Sequence, residues 1–387
     1  MTVRTLLEPL AGYGPTENPG ALFPDPDYGI ADPDCPWLVR LPEWPEVWNS
    51  HLHPKMSVQK QAGECHAVGR LLRAELDAWI RHLETTPARP LAMALHATLT
   101  EHARCRPVLR WNCGGFRVLD CSRPLIMGVV NVTPDSFSDG GLHVDPEAAV
   151  AHGMALAHAG AHILDVGGES TRPGAKPIPE AEELQRVIPV IRALADAVNV
   201  PISVDTSKAS VMAAAMEAGA AMINDVTALQ GDPEAVKILA HTSHPIVLMH
   251  MQGLPFTMQH NPHYRHVVTE VYDFLEQRIH FCQKHGIGLE RLIVDPGIGF
   301  GKTASHNLEL IRHLRVFYGL GVPLLLGVSR KQIVGVLTGE SHPAARDPGS
   351  QVLAALGMLS GAHILRVHDV AGTHQSLAVA HGWRSTR

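Results

Sequence analysis

Eight short apolar runs in the last two thirds of the chain each end in polar, glycine or charged residues. The runs cover residues 125–130, 162–166, 202–204, 221–223, 246–249, 292–294, 324–328 and 363–365. Strands that are buried on both faces read as continuous apolar runs, and parallel strands need helical crossovers between them. In a (β/α)8 barrel the functional residues lie on the loops at the carboxyl ends of such strands. The repeated placement of polar residues therefore predicts a barrel of this kind.

The segments between the runs have apolar residues at helical spacing. Helices are predicted at residues 146–160, 180–198, 207–219, 264–286, 305–318, 348–361 and 371–381. A barrel of this type usually takes roughly 250 residues, and the stretch from Trp111 to Arg387 is close to that length. The sequence thus predicts an α/β fold, a (β/α)8 or TIM barrel.

The composition changes near residue 105, where proline and tryptophan become scarcer and the α/β alternation begins. We therefore divide the chain into an N-terminal extension, residues 1–105, of unassigned structure, and a barrel, residues 106–387. Within the extension, residues 59–83 are predicted to be helical. The extension is an independent small domain, a partner-binding arm or a clasp over the barrel, and the sequence leaves these three open.

Composition excludes several classes of partner. A net charge of -6 gives no basic footprint for nucleic acid. No apolar stretch reaches the roughly 18 residues of a membrane span, and the first residues lack the apolar core of a signal peptide. We expect a cytoplasmic protein that binds neither nucleic acid nor membranes. The cysteines show no zinc spacing, which favours reduced thiols.

The loop after the first run begins at Asn131 and ends at Gly140 and Gly141. Loops between a strand and a helix usually have about two to six residues, and this one is longer. Long loops with glycine hinges at a barrel mouth are candidate lids.

The loop after the second run has the residue types of an anion site. Gly167 and Gly168 allow close backbone approach, Thr171 offers a hydroxyl and Arg172 a permanent cation. Barrels of this type often bind phosphate with the loops after strands 7 and 8. Those loops carry Ser329-Arg330-Lys331 and Arg366-Val367-His368. We therefore predict a basic rim that binds an anion.

Acidic and amide side chains end three other strands, namely Asp205, Asn224 and Asp295. An unpaired buried carboxylate is costly, so each carboxylate needs a partner. Lys302 or Lys331 can serve, or else a ligand with adjacent N–H donors, which a carboxylate binds in a bidentate manner. Three hydrogen-bonding side chains together favour a flat heterocycle with a guanidine-like edge.

The motifs themselves resemble those of the dihydropteroate synthase family, and they occur in that family's order. The matching segments are 111–115, 131–141, 167–174, 203–208, 223–225, 248–253, 295–302, 329–331 and 366–369. The resemblance covers about residues 109–383 and leaves the first hundred or so outside. It implies a transferase that joins p-aminobenzoate to 6-hydroxymethyl-7,8-dihydropterin diphosphate and releases pyrophosphate.

The resemblance also implies roles for residues at matching positions, together with a homodimer. Asn131 would hold Mg2+ next to the diphosphate, which Thr171, Arg366 and His368 would bind. The residues implied to bind the pterin are Asp205, Asn224, Asp295 and Lys331. The residues implied to border the aminobenzoate are Arg172, Pro173, Phe300 and Ser329. The catalytic set implied by these roles is Asp205, Asp295, Lys331, Arg366 and His368.

Two other readings stay open at this stage. A pterin-dependent methyltransferase shares the barrel and could use an acid and amide floor, but it has no diphosphate to expel. A non-enzymatic binding or scaffold protein is disfavoured because every strand end carries a polar residue. Pyrophosphate release distinguishes the first alternative, and pterin binding without turnover would support the second.

Overall fold

The computed structural model describes residues 6–9, 36–41, 46–61, 64–104, 108–112, 116–121, 123–133, 145–171, 174–175 and 177–385. The strands are β1 Leu6–Pro9, β2 Pro36–Leu41, β3 Met56–Gln61, β4 Glu64–Leu72, β5 Val108–Asn112, β6 Phe116–Asp120, β7 Leu125–Asn131, β8 Ile163–Gly167, β9 Ile202–Asp205, β10 Met222–Asp225, β11 Ile246–Met249, β12 Leu292–Asp295, β13 Leu325–Gly327 and β14 Ile364–Val367. The α-helices are α1 Arg73–Glu84, α2 Arg89–Arg104, α3 Pro146–His158, α4 Glu180–Ala197, α5 Ala209–Glu217, α6 Pro233–Ala240, α7 Val267–Lys284, α8 Ala304–Arg312, α9 Gln332–Thr338, α10 Asp347–Leu359 and α11 Val370–Ser385. Short 3-10 helices cover Glu46–His51, Leu289–Arg291, Leu314–Leu320 and Pro343–Arg346.

The strands β7 to β14 form one parallel sheet that closes on itself. Their order is β12-β11-β10-β9-β8-β7-β14-β13, and a parallel bridge between Val294 and Leu324 joins the two ends. Helices follow the strands and pack on the outside of the sheet, where strands and helices bury a large apolar core between them. The predicted (β/α)8 barrel is therefore confirmed.

The helices start where the sequence supplies their caps. Asp145 precedes α3 and accepts hydrogen bonds from two backbone N–H groups of its first turn, with Pro146 at the first position. Asp232 and Pro233 start α6 in the same way, although α6 was not predicted. The short α9 was not predicted either, and the predicted helix 305–318 divides into α8 and a 3-10 helix.

The barrel interior has two layers with different chemistry. Its lower layer is an apolar cluster separate from the main core, made of Cys121, Leu125, Met127, Ile163, Met222, Val247, Ile293, Leu325 and Ile364. Side chains two residues apart on a strand point to the same face. Asp165, Asn224, Asp295 and Arg366 each lie two residues beyond a member of this cluster. The upper layer is consequently polar and faces the barrel mouth.

The N-terminal extension contains a folded unit with its own core. Strands β1-β2-β4-β3 form an antiparallel sheet in that order, and α1 and α2 share a buried cluster with it that includes Trp37, Leu71, Trp79 and Leu91. The helix predicted at residues 59–83 is wrong for its first part, because this stretch pairs as β3 and β4 before α1 begins at Arg73. The unit also touches the barrel, since β1 and α2 contact the Leu314–Leu320 helix. The domain division at residue 105 stays a prediction.

Two further findings concern the described part of the chain. None of its helices has both the length and the apolar character needed to cross a membrane. Cys121 and Cys282 are buried and free, which agrees with the expected reduced thiols.

Candidate active site

Arg366 lies at the centre of the polar layer and binds two carboxylates. Its Nε donates to Asp165 Oδ2 at 2.6 Å, and its Nη2 donates to Asp205 Oδ2 at 2.7 Å. Asp165 is completely buried and Asp205 nearly so. The separate basic rim and acidic floor that we predicted are therefore joined at Arg366, because buried carboxylates need an ionic partner.

Asn224 extends this cluster, since its Nδ2 donates to Asp165 Oδ2 at 3.0 Å. Oδ1 of Asp165 has no hydrogen-bond partner among the described residues. A buried acceptor without a partner is costly, so this oxygen is available to a donor from a ligand or a water molecule.

Burial sets the charge state of the cluster. It raises the pKa of Asp205 to about 7, while the Arg366 guanidinium opposes the shift and the Asp165 carboxylate adds to it. Burial alone would lower the pKa of Arg366, but Asp165 and Asp205 raise it above its ordinary value. The site thus holds a permanent cation beside Asp205, a carboxylate whose ionised form burial disfavours.

Asp295 and Lys331 form a second part of the same layer. Asp295 Oδ1 accepts from the Gly297 N–H at 2.7 Å. Lys331 Nζ donates to the Ile298 carbonyl and lies 4.6 Å from the centroid of the Phe300 ring. Burial raises the pKa of Asp295, and Lys331 and Arg366 are among the cations that oppose this. Arg366 and Asp295 therefore lie at the same end of the barrel, as the predicted site requires.

Burial also lowers the pKa of Lys331 to about 8, with Asp295 opposing the shift. Of the two lysines that the sequence offered as partners for the carboxylates, Lys331 acts on Asp295 through its charge and donates its hydrogen bond to the Ile298 carbonyl. The other candidate, Lys302, instead binds backbone carbonyls and His250 Nδ1.

Ser329 and His368 are paired, with 3.0 Å between Ser329 Oγ and His368 Nδ1. The residue between Ser329 and Lys331 behaves differently from the prediction. Arg330 binds Asp347 in a bidentate manner at 2.7 Å for each bond, so it is not part of an anion-binding rim. Its backbone is left-handed, with φ at 58°, a conformation that costs a non-glycine residue free energy.

The glycine-rich loop after β8 is held in place by a hydrogen bond and ion pairs from neighbouring segments. The Gly168 carbonyl accepts from Arg186 Nη1 at 2.8 Å, and Lys208 binds both Glu169 and the buried Glu183. A Cβ on Gly168 would come within 2.7 Å of Val187, so only glycine fits here. Thr171 is half-buried at the end of this anchored segment.

Some predicted residues cannot be located against this site. Arg172 and Pro173 lie outside the described residues, as does most of the long loop after Asn131, from residue 134 to 144. Asn131 itself is half-buried at the end of β7 and pairs with Gly167 of β8.

The metal expected at Asn131 was tested against the surrounding side chains. The described residues contain no group of three or more His, Cys, Asp or Glu that could hold a metal ion. Mg2+ commonly keeps several waters and binds through few protein oxygens plus substrate phosphates. A single amide oxygen from Asn131 fits this mode of binding and does not fit an all-protein metal cage.

Sequence reasoning missed Asp165 as a member of the site. It sits inside an apolar run rather than at its end, so it was counted as part of a strand. The period of two along β8 places it in the same layer as Asn224 and Arg366, and this signal could have found it.

Comparison with known proteins agrees with the site. The family model described as "Pterin binding enzyme" matches residues 127–368, more than half of the chain. The fold and the polar layer thus define a pterin-binding enzyme built on a (β/α)8 barrel.

Individual relatives narrow this class. The chain is 47% identical to dihydropteroate synthase of Escherichia coli K12 over 269 residues, which is 70% of this chain and 95% of that protein. The structure of Xanthomonas albilineans dihydropteroate synthase with 4-aminobenzoic acid matches with a TM-score of 0.67 and 50% identity, covering 72% of this chain and 100% of that one. A second structure of that enzyme, with 7,8-dihydropteroate, matches with a TM-score of 0.65 and 47% identity over the same shares. The chain belongs to the dihydropteroate synthase family, whose members are transferases.

Proposed function

We propose that this chain condenses p-aminobenzoate with 6-hydroxymethyl-7,8-dihydropterin diphosphate to give 7,8-dihydropteroate and pyrophosphate. The observation that carries the proposal is the polar layer at the barrel mouth, which contains the buried Asp165, Asp205, Asn224 and Asp295 and the half-buried Lys331 and Arg366. The Xanthomonas albilineans relatives were solved with 4-aminobenzoic acid and with 7,8-dihydropteroate, which supports the same substrate and product here.

The pterin ring suits the acceptors of this layer. Its guanidine-like edge presents adjacent N–H donors, which a carboxylate such as Asp295 binds in a bidentate manner. Asn224 supplies both a donor and an acceptor, and Asp205 adds a second carboxylate. Because these side chains are buried, their hydrogen bonds act in a medium of low dielectric constant, where they discriminate strongly.

The diphosphate would lie beside Arg366 and His368, with Thr171 as a further donor. When the bond between the methylene carbon and the diphosphate oxygen breaks, negative charge grows on the leaving oxygen. Cations that are fixed in place before the reaction stabilise that charge selectively in the transition state. Mg2+, held through Asn131, would supply further charge neutralisation when it is bound.

Departure of pyrophosphate leaves a cationic methylene carbon that is conjugated with the pterin ring. The Asp205 and Asp295 carboxylates stabilise this positive charge. The amine nitrogen of p-aminobenzoate then forms the new C–N bond and loses a proton. An aryl amine is already a neutral nucleophile, so no strong general base is required.

The residues around the aminobenzoate follow from the same arrangement. The Phe300 ring and Ser329 flank Lys331, and they would border the aromatic ring of this substrate. Arg172 and Pro173, outside the described residues, are proposed for the same pocket. A closed pocket keeps water from capturing the methylene cation.

We also propose a homodimer through the last two helices. Val352 and Leu356 are one turn apart on α10, and Val379 is on α11, which packs against α10. All three are highly exposed apolar residues, as expected of a surface that another copy covers. Val379→Asp should convert the dimer to a monomer in sedimentation velocity, whereas Met93→Asp, at an equally exposed position on α2, should not.

A cytoplasmic location stays a prediction of the sequence.

The reaction is tested by incubating the full chain with both substrates and Mg2+. Dihydropteroate and pyrophosphate should form in equal amounts, and chelation of the metal should stop both. Arg192, exposed on α4, offers a control, since Arg192→Ala should turn over like the wild type while Arg366→Ala should not. Absence of both products while pterin binding is intact would refute the proposal in favour of a binding protein.

A further inference from the structure

Lys302 is a buried lysine that the proposed reaction does not use. It is only 3% exposed. Its Nζ contacts the Gly297 carbonyl at 2.9 Å, the Phe300 carbonyl at 3.0 Å and His250 Nδ1 at 2.8 Å. Burial lowers the pKa of Lys302 well below its ordinary value, while the Asp295 carboxylate opposes the shift.

The backbone between Asp295 and Lys302 is folded around Lys302 Nζ. Gly297, Gly299 and Gly301 all have positive φ, at 69°, 85° and 63°. A Cβ would come within 1.9 Å of the His250 carbonyl oxygen at Gly297 and within 2.3 Å of the Gln252 carbonyl oxygen at Gly301. The turn is therefore packed against the backbone that follows β11, and two of its carbonyls, those of Gly297 and Phe300, accept hydrogen bonds from Lys302.

The same turn holds two of the side chains proposed to bind the pterin. Gly297 accepts from Lys302 through its carbonyl, and its N–H donates to Asp295 Oδ1 at 2.7 Å. Ile298 lies between Gly297 and Gly299, and its carbonyl accepts a hydrogen bond from Lys331. Gly297 thus connects Lys302, through its carbonyl, with Asp295, through its N–H, and the carbonyl of the next residue holds Lys331.

We propose that Lys302 is a positioning residue for pterin binding, which holds the Asp295–Lys302 turn in the shape that orients Asp295 and Lys331. This inference rests on the proposed function only for the identity of the ligand. Lys302 itself does not touch the substrate.

The groups around Asp295 determine the pKa of its carboxyl group. Burial raises the pKa of Asp295, and the groups that oppose the shift are Lys331, the Gly297 N–H, Lys302 and Arg366. Burial, followed by Lys302, lowers the pKa of His250 to about 2, so His250 is neutral and adds no charge. Replacing Lys302 removes one of the groups that oppose the shift at Asp295, and it should therefore raise the pKa of Asp295 further.

The test measures pterin binding directly, by isothermal titration calorimetry of the full chain with 6-hydroxymethylpterin at a series of acidic to neutral pH values. In Lys302→Met the dissociation constant should rise by about tenfold or more, as a shift of one pKa unit implies. The pH at which binding is lost on acidification should move upward, because a more basic Asp295 is protonated sooner. The KM for p-aminobenzoate should stay unchanged.

Arg291 provides a matched control at the opposite end of β12. Its guanidinium also binds backbone carbonyls, those of Leu239 and His244, at 2.9 Å to 3.0 Å. Arg291→Met should lower thermal stability. It should leave unchanged the acid limb of pterin binding, that is, the pH at which binding is lost on acidification. Lys302→Gln keeps N–H donors without the charge, and it serves as the test variant if Lys302→Met does not fold.

An acid limb that is unchanged in the neutral Lys302 variant, or that moves equally in Arg291→Met, would overturn the inference. Failure of the proposed function is a separate outcome. In that case the wild type would bind the pterin with a normal acid limb and yet form no dihydropteroate.

Discussion

Arg366→Ala is the substitution whose consequences follow most directly from the contacts. Arg366 makes charge-assisted hydrogen bonds of 2.6 Å and 2.7 Å to Asp165 and Asp205, which are 0% and 7% exposed. Removing one partner of a buried ion pair costs about 3 to 5 kcal/mol, because the other charge is left without compensation. We expect a loss of this size at neutral pH and at least a roughly 100-fold drop in turnover.

The pKa of Asp205 determines how the loss of stability in Arg366→Ala varies with pH. Burial places the pKa of Asp205 at about 7 in the folded protein, above the ordinary 3.8. The folded state therefore binds more protons than the unfolded state between these values, and the free energy of unfolding falls as the pH rises through them. Without Arg366 the pKa of Asp205 is higher still, so the deficit of Arg366→Ala should be largest at and above neutral pH and should shrink in acid.

Urea denaturation of the wild type and of Arg366→Ala at several pH values measures this deficit. The double variant Arg366→Ala with Asp205→Asn removes one uncompensated charge and should recover part of the lost stability. A deficit that does not vary with pH, or a double variant that shows the simple sum of two losses, would refute the reasoning.

Three further predictions concern the site and its turn. Asp205→Asn should lower turnover by at least roughly 100-fold in a pyrophosphate-release assay, because a carboxylate facing the methylene cation is lost; near-normal rates in it would remove the mechanism. Labelled aminobenzoate should bind appreciably in equilibrium dialysis only when pterin and pyrophosphate are present, and equal binding to the empty protein would count against a pocket made by closed loops. Gly297→Ala should cost about 2 kcal/mol or more in urea denaturation, through left-handed strain plus a clash with the His250 carbonyl. Gly286→Ala, at a positive φ with open space around it, should cost only about 1 kcal/mol, and equal losses in the two would show that the clash is relieved.

The barrel could be predicted because its signals are local and repeated. Each strand of β7 to β14 coincides with an apolar run, and each run stops where polar residues begin. Asp205 and Asp295 are the last residues of their strands and Asn224 is the last but one, so the position of each in the sequence already implied its place at the barrel mouth.

The contacts of particular side chains could not be predicted in the same way. Arg330 and Lys331 are neighbours in a basic motif, yet Arg330 binds Asp347 while Lys331 contacts the Ile298 carbonyl and the Phe300 ring. That difference comes from the left-handed backbone at Arg330, which no residue type announces. Arg366 likewise pairs with Asp165, a residue 201 positions away in the sequence.

The N-terminal unit shows the limit of periodicity in a short segment. Residues 59–72 were predicted to be helical together with α1, but residues 59–61 and 64–72 lie in β3 and β4. A run with mixed apolar and polar residues fits either period when it is short. Pairing with β2 decides in favour of strands.

The most direct test of the central claim is a crystal structure of the full chain with a non-hydrolysable analogue of 6-hydroxymethyl-7,8-dihydropterin diphosphate. The account predicts the pterin ring between Asp205, Asn224 and Asp295, with the diphosphate against Arg366 and His368. A ligand bound elsewhere, or a ring turned so that its guanidine-like edge faces away from Asp295, would contradict it.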